Sequence, residues 1–129
     1  MNKTAVRTES APAAIGTYSQ AMALDGMVFV SGQIPLDPAT MELAEGSEAQ
    51  VRRVFSNLAA VCEAAGATLD DIVRLTVYLT DLADFPIVNK VMEELFTEPY
   101  PARAAVQVAA LPKGASVEVD AIAKPGISE

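Results

Sequence analysis

The chain has 129 residues, 51% of them hydrophobic, with nine basic and seventeen acidic side chains giving a net charge of -8. That length fits one domain, residues 1–129, and the acidic balance disfavours a nucleic-acid surface, which needs Lys and Arg to neutralise phosphates. With no histidine and one cysteine, Ser-His and Cys-His mechanisms, His-containing metal sites, Cys-rich zinc sites and internal disulfides are excluded, so no metal is expected. Tryptophan is absent and aromatics are only 5%, so small aliphatic side chains must fill the interior. No run reaches the roughly 18 apolar residues of a membrane-spanning helix. The N-terminus lacks a signal-peptide pattern. A soluble, cytoplasmic protein is expected.

Residues 3–8 fit a short edge strand, and the stretch from Ala11 to Gly16 a loop. A strand over 19–24, the turn signal Asp25-Gly26 and a return strand over 27–31 make a hairpin. Gly32 is expected to end that strand, where a ligand could approach bare backbone. Leu36 to Thr40 is rich in turn residues. Ser47 is placed as the N-cap of a first helix. Val51, Val54, Phe55, Leu58, Val61 and Cys62 form its apolar stripe, and Gly66 stops it. From Leu69 to Thr80 the period changes to two. Val73, Leu75, Val77 and Leu79 share one face, with Arg74, Thr76 and Tyr78 on the other. Asp84 is placed as the cap of a second helix, with Pro86 in its first turn and Phe85, Val88, Met92, Leu95 and Phe96 inward. Pro99 and Pro101 break it.

Two last strands flank the turn Leu111-Pro112-Lys113-Gly114. The order β-β-β-α-β-α-β-β predicts an α+β fold, a mixed six-stranded sheet with two helices on one face. The other face stays uncovered, and Arg74, Thr76 and Tyr78 on it suit an interface, so self-association is expected. Arg103 opens the first of the last strands with a planar five-donor fork suited to a carboxylate. Taken alone, such an arginine is more often solvated or in a surface ion pair of little weight. Glu118 and Asp120 alternate with Val117, Val119 and Ala121 and read equally as a wet strand face. If the two strands paired as a hairpin, Arg103 would lie about 16 Å from Glu118 at roughly 3.3 Å per residue. Either they are not direct partners, or the two residues meet across a subunit boundary.

The runs Pro101-Ala102-Arg103, Val106 to Gly114 and Val117-Glu118-Val119-Asp120-Ala121-Ile122-Ala123 together resemble the C-terminal signature of the RidA (YjgF) family. Ala11 to Ala21, Val30-Ser31-Gly32-Gln33-Ile34-Pro35, Asp81 to Phe85 and Asn89 extend the resemblance over nearly the whole chain. It implies a chorismate-mutase-like, RidA-type fold and a homotrimer with sites in clefts between subunits. It also implies hydrolysis of reactive 2-imino acids, of the 2-iminobutanoate and 2-iminopropanoate type, to 2-oxo acids and ammonia without a cofactor. Arg103 would grip the substrate carboxylate, and Glu118, through a water, would supply acid–base function. Tyr18 would close the cleft. Ser31, the Gly32 N–H and Asn89 would lie against the substrate. Ala105 stands where the family often has Cys or Thr, so only its main chain could position substrate or water. Thr17 replaces the proline common before the family tyrosine. Two other readings stay open: a non-catalytic trimer that binds metabolites or partner proteins, and an endoribonuclease of the L-PSP type. The acidic charge and missing basic–aromatic patch disfavour the second. The expected partners are a small 2-imino acid and other copies of the chain, with no nucleic acid and no membrane.

Overall fold

The protein is described by a computed structural model covering residues 2–128. Strands β1 (Thr4–Val6), β2 (Ala21–Leu24) and β3 (Met27–Gln33) precede helix α1 (Ser47–Ala64). Strand β4 (Ile72–Leu79), helix α2 (Phe85–Leu95), and strands β5 (Ala102–Gln107) and β6 (Val117–Ala123) follow. All six strands form one sheet in the order β1-β2-β3-β6-β4-β5. Only the β4–β5 pair is parallel, so the sheet is mixed as expected. The hairpin turn is built from Asp25 and Gly26, both with positive φ, and joins Leu24 to its partner Met27. Among the described residues no helix is long and apolar enough to cross a membrane.

β6 decides the architecture. Its alternation of valines and alanines with polar or larger residues gives one buried and one half-buried face, and it inserts between β3 and β4. The last two strands are therefore not a hairpin. β5 lies at the sheet edge on the far side of β4, and the 3-10 turn Pro112–Gly114 begins a crossover. The helical crossover through α2 produces adjacent parallel strands, whereas β3 and β4 run parallel but are separated by β6.

The core lies between the helices and one sheet face. Phe55, Leu58 and Val61 of α1 are fully buried with Val77 and Leu79 of β4 and Val117 and Val119 of β6. Phe55 also meets Phe96 edge-to-face at 5.8 Å. Truncating such a side chain to Ala costs about 3–5 kcal/mol, because the cavity collapses only partly. The opposite face has no helix on it. Phe29 (44% exposed) and, through its register with Tyr78, Val106 (42%) lie there.

Several local expectations are corrected. Val73 is not in the buried row, being 37% exposed. A register shift between Ile72 and Arg74 makes Val73 the extra residue of a bulge and lets Ile72 take the inward position. Leu95 is 41% exposed rather than inward, because the chain leaves helical geometry at Phe96, which is buried in its place. Ser47 is the first helical residue, not the cap. Gly46 holds the cap position, and the Ser47 hydroxyl instead donates to Asp84 Oδ2 at 3.2 Å. Asp84 does occupy the N-cap position of α2, yet its side chain makes no capping bond. At the other end of α1 the glycine stop holds: Ala67 N–H donates to the Cys62 carbonyl and Gly66 N–H to that of Glu63, a Schellman closure around the positive φ of Gly66.

Candidate active site

Arg103 pairs in register with Leu75, so its side chain leaves the sheet on the helix side, beside α2. Three α2 residues hold it. The guanidinium carbon lies 4.7 Å from the Phe85 ring centroid, a cation–π contact. Nη1 donates to Asn89 Oδ1 at 2.8 Å and approaches Met92 Sδ at 3.5 Å. Among the described residues no carboxylate lies within ion-pair distance of Arg103. Arg103 borders a cleft of about 390 Å³, lined also by Asn89, Met92, Glu93, Tyr100 and Pro101, and among the described residues Nε and Nη2 make no hydrogen bond to a side chain. The segment that carries the chain from α2 to this edge is pinned where Thr97 N–H donates to Asp70 Oδ1 at 2.8 Å.

Glu118 pairs with Tyr78 across β6 and β4, which puts it on the other, helix-free face. It is half-buried. Gly32 lies beneath it: a Cβ at that position would collide with Glu118 Oε2. Gly32 does not end β3, as expected, but sits inside it, at a register shift between Val30 and Gln33. The glycine is needed for the room it leaves to the glutamate rather than for a positive φ. No side chain donates a hydrogen bond to Glu118 among the described residues. Burial pushes its carboxyl above its ordinary value, and the charge of Asp120 adds to the shift.

The remaining expected site residues divide between the two regions and a third. Ser31 borders Gly32, but its hydroxyl donates to the Ser19 carbonyl at 2.6 Å and its N–H to that of Gln20 at 3.0 Å. It ties β3 to the preceding loop. Tyr18 is exposed, accepts a hydrogen bond from Ile15 N–H at 3.2 Å, and lines a separate depression of about 660 Å³ along the N-terminal segment. That depression is larger than the cleft at Arg103 but holds neither Arg103 nor Glu118. Asn89 is engaged with Arg103 through its oxygen, leaving its amide donors available. Ala105 pairs with Val77 and faces the helix side, partly packed on the core.

Within one chain, Arg103 and Glu118 are therefore not brought together. They are two strands and three register positions apart, about 14 Å at roughly 4.8 Å per strand and 3.3 Å per residue, and on opposite faces. Residue patterns did not point to Phe85, to Gln20 or to the Tyr78–Asp120 bond. The Gln20 amide anchors the loop, accepting from Thr8 N–H and donating to the carbonyls of Thr8, Ala11 and Pro12. Among the described residues no cluster of three metal-ligating side chains occurs.

The fold is thus an α+β sheet protein with helices on one face and an open second face. A family model described as Endoribonuclease L-PSP matches residues 8–124. The chain is 54% identical over 126 residues to Protein DfrA of Myxococcus xanthus, covering 95% of this chain and 96% of that protein. It is 50% identical over 126 residues to the 2-iminobutanoate/2-iminopropanoate deaminase of Salmonella typhimurium, covering 95% and 98%. The crystal structure of RidA from the Antarctic bacterium Psychrobacter sp. PAMC 21119 superposes with a TM-score of 0.92 at 55% identity, covering 94% of this chain and 98% of that one. The chain belongs to the RidA (YjgF) family.

Proposed function

We propose that this protein hydrolyses 2-imino acids to 2-oxo acids and ammonia, without a cofactor, in clefts between the subunits of a cytoplasmic homotrimer of single-domain chains. The observation that carries the reading is Arg103: an arginine fixed by Asn89 and Phe85, lining an open cleft, with no carboxylate within ion-pair distance among the described residues. Such a group is a ready partner for a substrate carboxylate. The separation of Arg103 and Glu118 onto opposite faces of one sheet supports a site completed by a second copy. The uncovered face with Phe29, Tyr78 and Val106 supplies a surface on which that copy could pack.

The chemistry needs few parts. Arg103 would hold the substrate carboxylate through Nε and Nη2. Water adds to the imine carbon of the protonated imine and gives a proton to Glu118. The Glu118 proton passes to the carbinolamine nitrogen; as the carbon–nitrogen bond breaks, Glu118 takes the proton of the added hydroxyl and hands it to the departing ammonia. One iminium and one water become one carbonyl and one ammonium, with charge conserved. Tyr18, the Ser31–Gly32 segment, the Asn89 amide donors and the Ala105 main chain would enclose or orient the substrate.

Generating 2-iminopropanoate or 2-iminobutanoate in situ and following oxo-acid formation tests this directly. A rate no higher than in water would reject deamination and leave a non-catalytic binding trimer, for which the Arg103 cleft alone would suffice. The description of the family model favours one other reading, RNA cleavage, which the net charge of -8 disfavours. Nuclease-free protein that cut RNA would revive it. Light scattering should return close to three times the 13.5 kDa chain mass, and a stable monomer at micromolar concentration would rule out the shared cleft.

A further inference from the structure

On the open face, one residue pair touches neither the proposed carboxylate grip nor the core. The Tyr78 hydroxyl donates to Asp120 Oδ2 at 3.0 Å. Asp120 is two residues from Glu118 on the same face of β6, and Tyr78 is the direct cross-strand neighbour of Glu118 on β4. The three side chains thus form one cluster, with Glu118 over Gly32 at its edge.

We propose that Asp120, held by the Tyr78 hydroxyl, is a positioning residue for Glu118: a fixed neighbouring charge that keeps the Glu118 carboxyl ready to hold a proton and return it. The inference rests on the acid–base role given to Glu118 above. A carboxylate that takes a proton from water and later yields it works best when neither form is strongly favoured. An ion pair would lock Glu118 ionised, and among the described residues it makes none. Its neighbours on β3 along this face, Phe29, Ser31 and Gly32, do not titrate, nor do Ala104 and Val106 of β5. On β4, besides Tyr78, only Arg74 is charged, and it lies opposite Ile122, beyond Asp120 from Glu118. Asp120 is therefore the charge nearest to Glu118 on its own face. Left free, it could rotate toward solvent, where its field would be screened. The tyrosine bond fixes it.

The test is a pH titration of Glu118 itself in the intact protein, by nuclear magnetic resonance of isotope-labelled glutamate, with the resonance assigned by its loss in Glu118→Gln. In wild type its midpoint should lie above the ordinary glutamate value. Asp120→Asn should lower it and move the acid limb of the kcat/KM profile with it. At neutral pH kcat/KM should fall by less than the about 10²-fold expected for loss of an acid–base group. Tyr78→Phe should lower the midpoint too, by less than Asp120→Asn, because the released carboxylate can turn toward solvent, where its field is screened. An ordinary midpoint in wild type, no lowering in Asp120→Asn, or an unchanged or raised midpoint in Tyr78→Phe would overturn the proposal. Asp120→Ser serves if the asparagine variant does not fold. The titration needs no turnover. A protein that showed these shifts without deaminating imines would refute the function proposed above, whereas one that deaminated without them would refute only the role of Asp120.

Discussion

At the edge of the sheet Arg103 is fixed by an aromatic face and an amide oxygen, whereas in its middle the Glu118 carboxyl has no hydrogen-bond partner among the described residues and a glycine beneath it. The difference follows from what each group has to do. A guanidinium never changes protonation in water, so its use lies in geometry, and contacts that immobilise it cost nothing in chemistry. A carboxylate that exchanges a proton is harmed by strong partners, since each would favour one form. One region is built to hold still and the other to remain undecided.

The largest expected effect breaks the second region. Glu118→Gln keeps shape but cannot exchange a proton, and imino-acid turnover should fall by about 10²–10⁴-fold. Stability should move the other way. Folding raises the proton affinity of Glu118 by burial first and by Asp120 second. A carboxyl shifted upward supports the fold only at acid pH and opposes it as pH rises through the folded value. Gln removes that opposition, so the melting temperature at neutral pH should not fall below that of wild type. Wild-type turnover in Glu118→Gln would move the acid–base role elsewhere, Asp120 being the next candidate.

Arg103→Lys tests the first region. Charge is kept, but a lysine cannot present two parallel donors to a carboxylate. Loss of one charged hydrogen bond, roughly 1.5–3 kcal/mol, corresponds to about 10–150-fold in kcat/KM at about 1.4 kcal/mol per tenfold. Imines without a carboxylate should be poor substrates before and after the change. Undiminished turnover of imino acids in the lysine variant, at unchanged assembly mass, would reduce Arg103 to a positive strand end.

Local patterns carried most of the fold. The stripe from Val51 to Cys62 gave α1, the Asp25-Gly26 pair its hairpin, and the alternation from Leu75 to Leu79 the central strand. The position of β6 was not legible, because inserting a last strand between β3 and β4 depends on contacts far apart in sequence. The same holds for the bulge at Val73, which answers to β6 rather than to its own neighbours. For the site, Arg103 and Glu118 stood out by residue type and by family resemblance. Their placement on opposite faces did not, since it follows from register across β4. The Phe85 ring under Arg103 was invisible for a plainer reason: spacing had assigned that phenylalanine to the core.

A smaller effect sharpens the claim that Arg103 is held for geometry. Phe85→Leu keeps an apolar side chain but removes the π face. At an exposed site that contact is worth about 0.5–1 kcal/mol, or about 2–5-fold in kcat/KM for carboxylate-bearing imines. Phe85→Tyr, which restores the face, should recover it. If the leucine and tyrosine variants behaved alike, Phe85 would be a packing residue only.

The smallest expected effect is at Ala105. This residue lies two positions beyond Arg103 on the same side of β5, about 6.6 Å along the strand, opposite Val77. The family resemblance implies Cys or Thr there, so Ala105→Cys asks whether a thiol beside the grip would take part in chemistry. A thiolate reacts well only where a nearby positive charge lowers its pKa, and Arg103 is close enough to do so. Yet the guanidinium turns toward Asn89 and Phe85 of α2, and Ala105 is partly packed on the core, where burial favours the neutral thiol. The added sulfur is one heavy atom at a half-buried edge position, so overpacking should be mild. Turnover and melting temperature should stay near wild type, with the thiol slow toward alkylating reagents. A large gain in kcat, accompanied by fast alkylation that substrate blocks, would mean that the edge of the sheet also performs chemistry. The division between a region that grips and a region that moves protons would then fail.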